Sequence, residues 1–116
     1  MALRKLVERI TKTVDEQDRE ALGQWCDLTV ESRLDEAPMR TPVRLAGEVR
    51  SVRIVPRAGA PALEANVNDG RGSVTAVFLG RRKILGLSPG RRVVLEGVIT
   101  RDHEDRVMYN PIYELR

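Results

Sequence analysis

Apolar residues at Leu3, Leu6, Val7, Ile10 and Val14 recur at spacings of three and four, which is one face of an amphipathic helix. The charged run "DEQDRE" follows, and Ala21, Leu22 and Trp25 then resume an apolar face. The spacing predicts a helix, long or broken, over about residues 3–26, so residues 1–26 read as an N-terminal helical segment. Residues 27–42, "DLTVESRLDEAPMRTP", hold two prolines and no clear period, and read as a linker that packing can order.

From Val43 the period changes to two. Val43, Leu45, Gly47 and Val49 share one parity, whereas Val52 and Ile54 fall on the other. A parity switch beside a glycine predicts a bulge or sharp coil in one long strand. "PRAGAP" reads as a break. Leu63, Ala65 and Val67 alternate with Glu64, Asn66 and Asn68, which predicts a half-exposed second strand. Asp69-Gly70-Arg71-Gly72 supplies a tight turn into a third strand carrying Val74, Ala76 and Phe78 on one face, with Phe78 expected in the core. "GRRKILGL" has room for one or two helical turns, and "SPG" is a further turn. Residues 93–100 are apolar on both parities, so this strand is expected to be covered on two sides for part of its length. "RDHEDR" reads as a charged loop and "VMYNPIYEL" as a last strand bent at Pro111.

Five strands with one short insertion between the third and fourth is the element order of an OB-fold, a partly open Greek-key barrel. The expected fold class is therefore all-β: a five-stranded OB-fold Greek-key barrel over residues 43–116 with an N-terminal α-helical extension. A barrel of about 75 residues has a small core. The helix is expected to add burial against one barrel end.

Composition narrows the function classes. Residues 1–40 hold 7 Lys+Arg against 9 Asp+Glu, and residues 41–116 hold 13 against 8, of which 12 are arginine. The basic excess thus belongs to the barrel segment. Arginine makes forked contacts to phosphate and stacks on bases, although a GC-rich genome also favours arginine codons. Cys26 is the single cysteine, so no intrachain disulfide forms, which suits a cytoplasmic location. No apolar run approaches the roughly 18 residues of a membrane-spanning helix. The first residues lack the apolar core of a secretory signal, and Glu8, Asp15 and Glu16 argue against a transit peptide.

"LAGEVRSVRIV", "VNDGRGSVTAVF", "SPGRRVVLEGVI" and "MYNPIYEL" together resemble the OB-fold nucleic-acid-binding family, in particular small stand-alone actinobacterial OB-fold proteins and, more distantly, the wedge domain of the RecG branch-migration helicase. The resemblance covers about residues 43–116. It implies single-stranded or branched DNA bound on the face of the second and third strands, flanked by loops at about Ile54–Ala62 and Arg101–Arg106. No helicase motor and no GxxxxGK[ST] sequence is present.

On this reading Arg50, Arg53, Arg57, Arg101 and Arg106 line the rim of the groove, Arg81, Arg82 and Lys83 extend it, and Asn66 and Asn68 supply polar contacts. Exposed arginines are also normal on any folded surface. Aromatics are scarce. Tyr109 and Tyr113 share a parity that reaches the groove or closes the barrel, so binding is expected to be weak, salt-dependent and largely indifferent to sequence. "DHED" around His103 offers metal-binding side chains, but a single contiguous run rarely converges on a cation. Cys26 reads as a small core residue without a partner base. No enzyme activity, cofactor or metal is expected. DNA is the expected partner, with RNA the related alternative. A protein-interaction module, using the barrel and self-association or docking through the N-terminal helix, is the competing class.

Overall fold

The computed structural model describes the backbone of residues 2–116 and the side chains from residue 13 onward. One helix, α1 (Ala2–Thr29), precedes six strands: β1 (Pro42–Arg57), β2 (Ala60–Asn68), β3 (Ser73–Leu79), β4 (Arg92–Asp102), β5 (Asp105–Tyr109) and β6 (Ile112–Leu115). Neighbouring strands run β1-β2-β3-β5-β4-β6, and β1 also pairs with β4. The circuit β1-β2-β3-β5-β4 therefore returns to β1 and closes. All pairings are antiparallel except β3 with β5.

β1 makes closure possible because it serves two partners. Its first half, Pro42–Glu48, pairs with β4, and its second half, beyond an irregularity between Val49 and Ser51, pairs with β2. The parity switch in the sequence is this bulge. Before it, Val43, Leu45 and Val49 point into the barrel; after it, Val52 packs against the core while Ile54, 55% exposed, does not. Gly47 sits where β1 passes from pairing with β4 to pairing with β2, and an added Cβ would lie 2.9 Å from the Asn68 carbonyl oxygen.

The core is aliphatic. Leu63, Ala65 and Val67 from β2, Val74, Ala76 and Phe78 from β3, Val93, Leu95 and Ile99 from β4, and Met108 from β5 interlock within the barrel. Near the β2–β3 turn, Leu34 and Ala37 of the linker enter the same cluster. The buried Asp69 carboxylate fixes that junction, accepting hydrogen bonds from the backbone N–H of Leu34, Arg71 and Gly72 at 3.1, 2.9 and 2.9 Å. Arg106 donates to the carbonyls of Leu34 and Ala37. The linker is thus packed at Leu34 and Ala37, where both the side chains and backbone groups are held. After Phe78, Ile84 and Leu87 of the β3–β4 connection join the core.

Four expectations are corrected here. Residues 80–91 form turns without a helix, using Gly80, Gly86 and Gly90 at positive φ. "PRAGAP" does not break the sheet: Pro56 faces Pro61 across the ladder, and Ala58 and Gly59, with φ of 50° and 78°, make a two-residue turn. Both prolines are tolerated because this ladder position directs its N–H groups away from the pair. "RDHEDR" is likewise strand up to a turn at His103 and Glu104. The last strand is two strands, β5 and β6, divided at Asn110 (φ 48°) and Pro111.

Helix α1 lies along the flank of the barrel, where an end was expected. Leu22, Cys26 and Val30 pack on Ala46 and Val94, the outward-facing residues of β1 and β4. Of the outward apolar residues of β4, Val94 is covered by this contact and Val98 is 38% exposed. Trp25 flanks this contact with the Arg92 guanidinium 4.9 Å from its ring centroid. Arg71 ties the helix to the β2–β3 turn, donating to Asp27 at 2.9 Å and to the Gly23 carbonyl at 2.7 Å. Among the described residues, no helix is long and apolar enough to cross a membrane.

Cys26 is 4% exposed, and its thiol donates to the Ala46 carbonyl at 3.3 Å. Burial first, then the Asp69 charge, pushes its pKa up to about 11. Because the folded thiol holds its proton to higher pH than the unfolded one, the burial contributes stability below about pH 9 that is lost as the pH rises to about 11. Alkylation by iodoacetamide at pH 8 is therefore expected to be far slower in the folded protein than in urea. Equal rates in both would show that the helix does not stay docked.

Candidate nucleic-acid interface

Register places the outward side chains of β1, β2, β3 and β5 in rows. Ser51, Asn66, Thr75 and Val107 form one row, and Arg53, Glu64, Val77 and Tyr109 form the next. Helix α1 is docked on β1 and β4, away from these rows, in which Glu64, Val77 and Val107 are buried and Ser51, Arg53, Asn66, Thr75 and Tyr109 reach solvent. The first row supplies hydroxyl and amide groups; the second supplies charge and an aromatic ring.

The second row is organised around Glu64. The alternation puts it on the exposed face of a half-exposed strand, whereas it is 3% exposed. Its Oε2 accepts from Arg57 Nε at 2.9 Å and its Oε1 accepts from Arg53 Nη2 at 3.2 Å. Arg57 continues across the face: its Nη1 donates to Asp102 Oδ2 at 2.9 Å and to the Tyr109 hydroxyl oxygen at 3.1 Å. The clasp thus joins the β1–β2 hairpin to the β4–β5 hairpin. Ala62, Val77 and Val107 form a small buried apolar cluster on the same outer face, which lowers the local dielectric around Glu64. The pKa of Arg57 is raised, by its hydrogen bond to Asp102 first and to Glu64 second, so the guanidinium stays charged throughout the stable pH range.

The expected site residues divide by position. Arg53, Arg57 and Asn66 share the face just described. Arg50 and Asn68 line a cleft beside α1 with Asp15, Asp18 and Arg19; Arg50 lies 3.6 Å from Glu48, and the Asn68 side chain accepts from the Gly70 N–H. Arg81, Arg82 and Lys83 are exposed in the β3–β4 connection. Arg101 borders a depression with Met39, Arg40 and Thr100. The guanidinium of Arg106 is turned to the linker carbonyls. Tyr109 is exposed beside Arg57, whereas Tyr113 meets Phe78 edge-to-face at 5.5 Å.

Glu64 and Asp102 escaped the sequence reading. The available signal was hairpin arithmetic: a two-residue turn at Ala58–Gly59 sets Arg53 opposite Glu64. His103 is fully open to solvent, 3.8 Å from Asp102, and among the described residues no group of three or more His, Cys, Asp or Glu converges on a metal position. Comparison with protein-family models and with curated proteins finds no match.

Proposed function

We propose that this chain is an OB-fold nucleic-acid-binding protein that takes single-stranded or branched DNA across the outer face of β2, β3 and β5. The strand circuit β1-β2-β3-β5-β4, with β3 and β5 parallel, supports the Greek-key assignment, in which that face and the flanking hairpins form the binding groove. One observation carries the reading. The helix docks elsewhere, and this face presents Arg53, Asn66, Thr75 and Tyr109 around the buried Glu64, Val77 and Val107, between two hairpins. Arg53 and Asn66 offer phosphate and base contacts, and Tyr109 offers a stacking ring.

The carboxylates set the strength. Arg53 and Arg57 are balanced on this face by Glu64 and Asp102, so the net field is small and a phosphate must compete for Arg57. Binding is weak for that reason, and it weakens further with salt as counterions compete for the remaining cations. Fluorescence titration of labelled single-stranded DNA at several salt concentrations tests this. Arg53→Glu, at a largely exposed position, is expected to weaken binding about tenfold or more, and Asp102→Asn, which removes one of the two carboxylate charges holding Arg57, to strengthen it several-fold. Affinity that ignores salt, or Arg53→Glu binding as tightly as the parent, would sink the proposal.

A further inference from the structure

We infer that Arg40 and Arg101 clamp a phosphate group in the depression that they form with Met39 and Thr100, where the linker meets β4. The depression holds about 410 Å³. Two arginines and a threonine line it and no carboxylate does, whereas the clefts along α1 each include Asp or Glu. Among the described residues, neither arginine side chain has a hydrogen-bond or ion-pair partner. Asp102, next to Arg101 in the chain, is held by Arg57 on the outer face instead.

The backbone keeps these cations in place at a cost. Arg40 has a φ of 58°, a left-handed conformation that glycine adopts more easily. Its N–H donates to the Ile99 carbonyl at 2.9 Å, which fixes it beside β4. Arg101 stands directly opposite Arg106 in the β4–β5 ladder, and like charges so placed repel. Arg106 turns to the Leu34 and Ala37 carbonyls and so anchors the linker that carries Arg40. Strain retained where glycine would fit marks a side chain kept for binding. Two unpaired guanidinium groups beside a hydroxyl supply the forked donors that a phosphate takes.

Thr100 connects the depression to the outer face. It pairs with Val107, which pairs with Thr75, so the row of Ser51, Asn66, Thr75 and Val107 ends at this wall. A strand laid along that row would bring a backbone phosphate to Arg40 and Arg101. That the phosphate belongs to DNA rests on the function proposed above; the clamp itself would serve a small phosphorylated compound equally.

Amide and side-chain NMR spectra of the full chain, titrated with inorganic pyrophosphate at low salt, are expected to shift at Arg40, Thr100 and Arg101. They are expected to do so well before Arg81, Arg82 and Lys83, an exposed cation run that serves as the control. Arg40→Gly, which relieves the positive φ, is expected to keep or raise the melting temperature while these shifts disappear. In the DNA titration, Arg40→Gly combined with Arg101→Ala is expected to weaken binding about tenfold and to lower the slope of log affinity against log salt by about one. If that double variant binds DNA as the parent does but has lost the pyrophosphate shifts, the clamp is supported and its ligand is a small phosphorylated compound. If Arg53→Glu leaves DNA binding unchanged while pyrophosphate still shifts Arg40 and Arg101, the DNA face fails and the clamp is supported. Pyrophosphate shifts spread evenly over the exposed arginines, or unchanged in Arg40→Gly, overturn the inference.

Discussion

Arg57→Ala is expected to lower unfolding stability by about 2–4 kcal/mol, measured as a drop in the urea midpoint at unchanged slope. The cost comes from what stays behind. The Glu64 side chain is 4% exposed and loses its 2.9 Å partner, keeping only Arg53, whose guanidinium is largely in water. Asp102 and the Tyr109 hydroxyl lose the same donor, and the two hairpins lose their clasp. Removing both charges with Arg57→Met and Glu64→Leu is expected to cost much less, because no buried charge is stranded. A loss below about 0.5 kcal/mol for Arg57→Ala alone would place the clasp among surface ion pairs of little consequence. The same variant is expected to weaken DNA binding less than Arg53→Glu does, because Arg57 is already engaged by Glu64 and Asp102.

The second large effect lies at Gly47. A methyl group there would sit 2.6 Å from Val67 Cγ1 and 2.9 Å from the Asn68 carbonyl oxygen. The valine can adjust, but the carbonyl belongs to the β1–β2 ladder beside the bulge. Gly47→Ala is therefore expected to cost about 2–4 kcal/mol, because β1 must be pushed off β2 where the barrel closes. Gly97→Ala is the internal comparison. Its added Cβ crowds the flexible Met108 side chain at 3.2 Å and meets Pro111 Cα at an ordinary 3.6 Å, and about 1 kcal/mol is expected. Equal melting temperatures for the two variants would contradict this account of closure.

Features that depend on local period were legible in the sequence. The parity switch after Val49 marked the bulge, the alternation through Leu63–Val67 and Val74–Phe78 marked the inward faces, and the two-faced β4 foretold cover on Val94. Features that depend on register were not. Pro56 and Pro61 read as breakers because a lone proline disrupts a ladder, whereas two prolines facing each other at an outward N–H position do not. With that hairpin read as a loop, nothing pointed to Glu64 as the partner of Arg53 and Arg57. Arg106 read as rim because sequence carries no sign that the linker would bring its carbonyls to it. The connection after β3 is held by Ile84 and Leu87 entering the core and by glycine turns, so it has no need of the helical turns that its composition allowed.

Amide and side-chain NMR spectra recorded during titration with a short single-stranded DNA test the central claim most directly. The account predicts shifts at Ser51, Arg53, Asn66, Thr75 and Tyr109 that grow with DNA and fade with salt, while Leu22 of the helix and Ala46 and Val94 beneath it stay still. A spectrum unchanged by DNA, or shifts gathered at the helix flank with the β2–β3–β5 face silent, would contradict it.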